Sequence, residues 1–396
     1  MPQATVPKPT AARSARRNGR PFFGMLEAVL VEEPAEFDFD GAILRAHAHA
    51  AWTWMVRDLA PDLIDPDADD SHPAALPALE ALMPDLLARA RAAVAETETN
   101  PGTLQRLRIQ LGGEEPHRKL PIVLNALKCR NLLDKAQSFG RATNTIQDEA
   151  ALAAALQSMP LHDRALAALL MQAAIGQVAN PARLVTAAIR LAGSPSEAAV
   201  VRIGFTPLID AILAHAQNQI RPLSQVGPFA DIDLTCRAID RFHRLARAIS
   251  GYIELGRVSR WATILSALTK RVSEQIEPRL RDVVMDVNKA LRRHREGADR
   301  LDSDQLLTAL NGIYVLATVR DARDSLALNA LFDQTWAQVG QALEIHIQRN
   351  LDLYRHDPSD RITGERLEAA IKMAELRFNA DYAEVLRRAK ETAEKR

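Results

Sequence analysis

The chain has 396 residues, with 50 lysine and arginine residues against 50 aspartate and glutamate residues, so its formal net charge is zero. Hydrophobic residues make up 47% and charged residues 25% of the sequence, which are ordinary values for a globular protein. These values exclude wholesale disorder, a collagen-like chain and a scaffold built on disulfides.

The cysteines and the apolar stretches bear on the compartment of the protein. Cys129 and Cys236 are far apart and form no C-x-x-C pair. We therefore expect two free thiols, which are typical of a protein of the reducing cytoplasm. The longest stretch without a charge, residues 165–182, contains Gln172 and Gln177, and such side chains are costly in hydrocarbon. No membrane span is expected.

The chain is predicted to begin with a basic arm and an acidic region. Residues 1–26 carry five basic residues, four prolines and no acid. This composition predicts a disordered basic arm, because prolines interrupt the amphipathic helix of an organelle-targeting segment. An acidic helical region over 27–100 should follow, then a middle helical domain over 101–230 and a C-terminal helical domain over 231–396.

The dominant sequence pattern is helical. Apolar residues recur every three or four positions, and alternating β-branched runs are almost absent, which predicts an all-α protein. Within segment 21–39, residues 22–31 fit either a short strand or a helix. The predicted helices cover 41–60, 74–98, 101–111, 117–139, 146–158, 160–178, 181–192, 195–219, 231–276, 278–296, 303–321, 323–355, 363–378 and 380–394.

Capping residues support several of these boundaries. Asn100 before Pro101 reads as an N-cap with proline at the first helical position. Gly193 should end the preceding helix. Ser194 and Glu197 have the spacing of a capping box. Thr363 is predicted to cap a late helix.

A long helical hairpin is predicted at the start of the C-terminal domain. The helix over 231–276 should kink near Gly251 or Gly256 and turn back at Pro278 into 278–296. Its second half has a coiled-coil-like apolar stripe at spacings of three and four: Trp261, Leu265, Leu268, Val272 and Ile276. The predicted fold is a multi-helix bundle of αα-hairpins around this long central hairpin. Because helix pairs of similar length recur, an irregular α-solenoid is the alternative.

The zero net charge conceals a strong asymmetry along the chain. Residues 1–26 sum to +5, 27–100 to −12 and 101–236 to +3. Residues 237–300 then sum to +7 and 301–396 to −3. Segregated charge of this kind favours a role in binding charged partners.

The most basic segment predicts a partner-binding surface. Its first four arginines are expected on the helix side opposite the apolar face, and two more follow near residue 292. We therefore predict that an acidic partner surface docks on Arg237, Arg241, Arg244, Arg247, Arg292 and Arg293. The alternative is a solvated face, or one paired with the chain's own acidic region. Aromatic residues are only 5% of the chain, so stacking on single-stranded nucleic acid has little support.

Three other patterns resemble binding sites only in part. Asp65, Asp67 and Asp69 match the start of a calcium loop, but Asp70 stands where the loop needs glycine. His47 and His49, near Trp52 and Trp54, would point in nearly opposite directions on a helix and cannot share a metal ion. The segment 112–119 has glycines and basic residues without the phosphate-loop pattern. No catalytic, cofactor or metal site is predicted from these patterns.

One constellation fits a metal-dependent phosphohydrolase. Helical enzymes of the HD type use an adjacent His-Asp pair with a second histidine and a further aspartate. His162 and Asp163 are adjacent, with His117 upstream and Asp210 downstream. These four residues are the candidate enzyme site.

The sequence thus favours a non-catalytic, cytoplasmic helical interaction protein: an adaptor, regulator or assembly factor. A protein partner or a second copy of the chain would bind its charged helix faces. The alternatives are the HD-type phosphohydrolase and a nucleic-acid-associated protein that uses residues 1–26 and 237–300.

Overall fold

The computed structural model describes residues 20–64, 75–224, 231–293 and 300–395. Of these described residues 77% are helical, which confirms the all-α prediction. Most of the predicted basic arm, residues 1–19, and the aspartate cluster 65–70 lie outside the described residues. The end of that arm is described, and it forms a helix rather than disordered chain.

The contacts between residues divide the chain into two compact units. The N-terminal unit holds the chain up to His215 together with Tyr252–Glu254. The C-terminal unit holds Ala216–Gly251 and the chain from Leu255 onward. The domain boundaries at residues 26, 100 and 230 remain predictions from the sequence.

The first half of the N-terminal unit combines helices with one short parallel strand pair. Segment 21–39 contains both a helix and a strand, and Leu30 pairs with Ile43 and Val31 with Leu44. A π-helical turn, Met55–Leu59, extends the helix α2. The elements are α1 (Arg20–Leu26), β1 (Leu30–Val31), β2 (Ile43–Leu44), α2 (Arg45–Trp54), α3 (Ala75–Thr99), α4 (Pro101–Gln110), α5 (Glu114–Lys128) and α6 (Arg130–Ala142).

The second half of the N-terminal unit is helical throughout its described elements. They are α7 (Glu149–Gln157), α8 (Arg164–Ile175), α9 (Ala182–Ala192), α10 (Glu197–Arg202) and most of α11 (Thr206–Gln217). Helix α8 is buried along nearly its whole length. It packs on α6, where Gly140 lies directly against the backbone carbonyl of Ala174. A β-carbon at Gly140 has no room there, so glycine permits the close approach of the two helices.

The C-terminal unit is a bundle of long helices whose directions follow from pairs of contacts. Ser273 and Val283 of α14 contact Leu326 and Gly312 of α15, so these two helices are antiparallel. The elements are α12 (Ile220–Leu223), α13 (Ile232–Ser250), α14 (Arg260–Leu291), α15 (Ser303–Leu326), α16 (Asn329–His356), α17 (Arg361–Arg377) and α18 (Ala380–Glu394).

The predicted long hairpin has different bounds in the structure. The helix predicted over 231–276 is broken at the two expected glycines, since α13 ends at Ser250 and Ser259 caps α14. The turn predicted at Pro278 is wrong, because α14 continues through that proline. Proline costs a backbone hydrogen bond, but the apolar stripe is buried on both sides of it and keeps the helix whole. The long hairpin is formed by α14 and α15 instead.

The structure corrects two caps and confirms others. The Asn100 side chain accepts a hydrogen bond from the Gly102 N–H, and Gly193 ends α9 with a left-handed backbone. Ser196, not Ser194, caps α10. Asp360, not Thr363, caps α17, because its carboxylate accepts hydrogen bonds from two backbone N–H groups and from the Thr363 hydroxyl.

Both cysteines are free thiols, as predicted, and each is half-buried. Burial raises the pKa of Cys129 and of Cys236. Across the segments that the structure describes, no helix combines the length and apolarity that crossing a bilayer needs.

The close approach of α6 and α8 gives a test of the fold. We expect Gly140→Ala to lower the free energy of unfolding by about 1–3 kcal/mol, because the new methyl group meets the Ala174 carbonyl. The matched control is Gly24→Ala in α1, where nothing lies within 4 Å of the added carbon. That variant should be neutral or more stable by up to about 1 kcal/mol. Urea unfolding of both variants measures the difference, and equal midpoints would contradict the packing.

The histidine buried between α14 and α16 gives a pH test. His346 is 8% exposed, and its Nε2 lies 2.9 Å from the Asn288 Oδ1. Burial lowers its pKa, with further lowering from Arg349 and Arg366. The unfolded chain therefore binds more protons just below the ordinary value of 6.5, so the free energy of unfolding should fall as the pH drops below it.

In the His346→Gln variant this acid-side loss of stability should be smaller. The measurement is urea unfolding at about pH 7.5 and about pH 5.5, where one proton contributes at most about 1.4 kcal/mol per pH unit. The exposed His49 supplies the control variant, His49→Gln. An unchanged pH dependence in His346→Gln would show that this histidine does not supply it.

Candidate functional site

The predicted basic surface on α13 carries many of its own counterions. Arg237 and Arg244 are exposed, as expected. Each forms an ion pair with an aspartate one turn earlier, Asp233 and Asp240 respectively. Such i,i+4 pairs reduce the positive field that the sequence count suggests.

The other two arginines of α13 differ from each other. Arg241 is half-buried, and burial lowers its pKa, with further lowering from Arg244. Arg247 is exposed near the end of the helix. It lies near His243, whose pKa is lowered first by burial and then by this guanidinium. The four arginines thus form no uniform stripe of exposed charge.

Arg292 and Arg293 belong to a different part of the C-terminal unit. Both are exposed just after the end of α14. The pKa of Asp360 is lowered mainly by the hydrogen bond from Thr363, and Arg293 contributes through its charge. Val283 of α14 contacts Gly312 of α15, and the antiparallel α14 then ends near the beginning of α15. Arg237 lies instead beside the second half of α15. The separation along the α15 axis between these arginines and Arg237 is about 24 Å. The structure therefore splits the predicted surface into two.

An open groove lies between α13 and α15, with a volume of about 420 Å³. Arg237 lies on the α13 wall, beside three residues that the sequence analysis did not assign to a site: Cys236, Asp240 and His243. The α15 wall supplies Tyr314, Ala317, Thr318, Arg320, Asp321 and Ala322. We call this the α13–α15 groove. It is the candidate functional site of the C-terminal unit.

Two contacts fix the direction of the groove. Cys236 of α13 hydrogen-bonds with Thr318 of α15. Seven residues later on both helices, His243 Nδ1 lies 2.9 Å from Ser325 Oγ. Because both partners advance together along their helices, α13 and α15 run parallel. The walls are held by the buried apolar faces of both helices, so the polar side chains above them have defined positions.

The groove presents charges of both signs. Arg237 and Asp240 lie on one wall, and Arg320 and Asp321 lie on the other. The Arg320 Nε is 3.1 Å from the Asp321 carboxylate, and its guanidinium lies over the Trp336 ring at 5.6 Å. Tyr314 adds a ring that is 37% exposed. Such a surface suits a polypeptide with alternating charges better than a uniform polyanion.

The sequence contains a weak indication of the α15 wall, which was not predicted as part of a site. Tyr314, Thr318 and Asp321 follow one another at spacings of four and three, so they share one face of α15. That face is polar, while the buried residues of α15 lie elsewhere. Which helix this polar face would meet depends on the tertiary packing, so the sequence alone did not assign it to a groove.

The four residues of the predicted phosphohydrolase site do not come together. Asp163 caps α8 by accepting from the Leu166 N–H, and His117 faces Arg108 and Glu114. Asp210 is buried, with 3% exposure, in α11. Among the described residues, which include all four, no group of three acidic, histidine or cysteine side chains is arranged to hold a metal ion.

His47 and His49 point in different directions on α2, as their spacing predicts. His49 is exposed, and its ring stacks on Phe23 with centroids 6.3 Å apart. His47 is half-buried and faces α5 instead. The two rings therefore serve different surfaces of the N-terminal unit.

Comparison with known proteins assigns no relative. No protein-family model, no curated protein and no solved structure matches this chain. No residue role can therefore be carried over from another protein. The function must be inferred from the geometry and chemistry of the groove.

The half-buried arginine of α13 gives a test of how this surface is built. We expect Arg241→Glu to lower the free energy of unfolding by about 1–3 kcal/mol, because it puts a carboxylate in a poorly solvated position near Asp240. Arg237→Glu, at an exposed position beside Asp233, should change it by about 0.5 kcal/mol or less. Urea unfolding compares the two variants. If both lose the same stability, Arg241 is not distinguished by burial.

Proposed function

We propose that this chain is a non-catalytic helical interaction protein, an adaptor, regulator or assembly factor, and that the α13–α15 groove binds its partner. The observation that carries the proposal is the pairing of two parallel helices that face a common groove with arginine, aspartate, histidine and tyrosine side chains. A groove between helices is a common place for a partner segment to bind.

The charge pattern of the groove supports a partner with charges of both signs. Acidic residues of the partner would face Arg237 and Arg320, and basic residues would face Asp240 and Asp321. This modifies the simpler idea of a wholly acidic partner, since the arginines of α13 already have carboxylates beside them. A protein segment with charges of both signs can replace the partner of each arginine and of each aspartate at the same time, so that no ion is left unpaired.

The cysteines support a place in the cytoplasm. Both Cys129 and Cys236 are free thiols, and Cys236 lines the groove itself. Free thiols persist in a reducing compartment, where glutathione and thioredoxin keep them reduced. A partner that binds the groove would cover this thiol.

The test exchanges charges across the groove without changing the net charge. In the double variant Arg237→Glu, Asp321→Lys, both altered side chains are largely exposed, so the fold should persist. We expect partner capture or self-association to weaken at least about tenfold, which corresponds to about 1.4 kcal/mol. The measurements are affinity capture with quantitative mass spectrometry and sedimentation of the purified protein.

The matched control reverses an exposed ion pair on another helix. Glu277→Arg with Arg281→Glu on α14 also keeps the net charge. That variant should retain the wild-type partners and oligomeric state. Identical captured proteins and identical sedimentation for both double variants would contradict the proposal.

The same variants separate a protein partner from a nucleic acid. A nucleic-acid ligand would bind with an affinity that falls steeply with salt, because phosphate contacts release counterions. Retention of DNA or RNA with such a salt dependence, lost in Arg237→Glu alone, would contradict a protein partner. If the partner is a protein, we expect no such retention of DNA or RNA.

A further inference from the structure

A second cavity, in the N-terminal unit, joins two sequence segments that the groove does not involve. Its volume is about 300 Å³. One wall is the loop that connects β1 with β2, and His47 of α2 lies beside it. The opposite wall is the first part of α5, with Glu115, Arg118 and Lys119. We call this cavity the α5 pocket.

The loop wall is tightly constrained. It is anchored at both ends by the parallel pairing of β1 with β2. Gly41 lies so close to the Phe39 ring and to the Ala168 carbonyl oxygen that a β-carbon there would come within 2.5 Å of that oxygen. Phe39 is buried, with 8% exposure. The cavity is therefore a formed feature of the fold rather than a gap under a loose loop.

The charged groups of the pocket occur as neighbouring pairs of opposite sign. Arg118 donates to both carboxylate oxygens of Glu115 at 2.7 Å. Lys119, which lines the cavity and is 31% exposed, has its Nζ 3.1 Å from the carboxylate of Asp40, a residue outside the cavity lining. Asp38 also lines the cavity. Cations and anions thus line the same small space.

The remaining lining is suited to an apolar group. Phe37, Ile43 and Ile122 contribute side chains without charge. His47 is half-buried between the two walls, with Glu115, Lys119 and Arg118 as its charged neighbours. Burial is the main cause of its lowered pKa, which favours the neutral ring. A neutral imidazole can donate one hydrogen bond and accept another.

We propose that the α5 pocket binds a free α-amino acid with an apolar side chain. The carboxylate of the ligand would bind Arg118 and Lys119, and its ammonium group would bind Glu115 and Asp38. The apolar side chain would contact Phe37 and Ile122.

The alternating charges are the reason for this ligand class. A ligand with one charge would pair with only one member of the Arg118–Glu115 pair and leave the other without its counterion. A zwitterion offers a counterion to both members. Because these side chains are 67% and 52% exposed, charge complementarity rather than desolvation sets the preference. The volume is at the lower end of the range for ligand pockets, which fits a compact molecule.

The test uses L-leucine and L-phenylalanine with the full-length protein. Isothermal titration calorimetry should show that at least one of them binds with a Kd of about 1 mM or tighter. Two analogues of leucine isolate its charges: 4-methylpentanoate lacks the ammonium group, and 3-methylbutylamine lacks the carboxylate. Each should bind at least about tenfold more weakly than the amino acid.

Variants locate the binding on the pocket. Arg118→Gln changes a side chain that is 67% exposed, so the protein should fold, and it should weaken binding at least about tenfold. The control Arg141→Gln changes an exposed arginine of α6 and should leave binding unchanged. Three outcomes would overturn the proposal: neither amino acid binds, a singly charged analogue binds as tightly, or Arg118→Gln binds like the wild type.

Discussion

The burial of one apolar stripe along α14 organises the C-terminal unit. Ten side chains of this helix, from Trp261 to Leu291, are buried, and they continue without interruption across Pro278. Helix α15 packs along this stripe, and α13 then packs on another side of α15. The buried residues of α15 pack against α14, and the polar face of α15 remains beside α13. This arrangement forms the groove. Hydrophobic burial therefore sets the position of charged groups that contribute little to stability themselves.

Short-range ion pairs change the meaning of the charge count. The segment 237–300 has a formal excess of seven positive charges. In the folded chain, Arg237, Arg244 and Arg281 each lie beside an aspartate or glutamate one turn earlier. Their field decays over a shorter distance than that of isolated charges, so the surface is one of alternating sign. For the proposed partner, the spacing of charges would then matter more than their sum.

The sequence predicted the features that depend on local periodicity. Most helices were predicted within a few residues, and the cap at Asn100 was placed correctly. The irregularity near Gly251 or Gly256 was also predicted, but it separates two helices rather than kinking one. The turn at Pro278 was wrong because tertiary burial overrode the proline. Ser196 replaced Ser194 as a cap because the two serines are equally good acceptors and only the backbone direction distinguishes them.

The candidate sites were harder to predict, because they join segments that are distant in the chain. Arg237 was a candidate from the sequence, but the α15 residues that line the same groove lie about 80 positions away, and no local pattern specifies that proximity. The same holds for His47 and Arg118, which belong to separate motifs and line one pocket. Local spacing was sufficient to show that His47 and His49 diverge, but not to show what each of them meets.

The parallel arrangement of α13 and α15 sets an order of assembly during synthesis. His243 and Ser325 are 82 positions apart, whereas Val283 and Gly312 of the α14–α15 hairpin are separated by only 29. Shorter loops close at a lower entropic cost, so the hairpin should form before α13 docks beside it. A ribosome-bound chain therefore lacks one wall of the groove until the whole of α15 has left the exit tunnel. A partner that needs both walls would therefore bind only a chain whose α15 has already been synthesised.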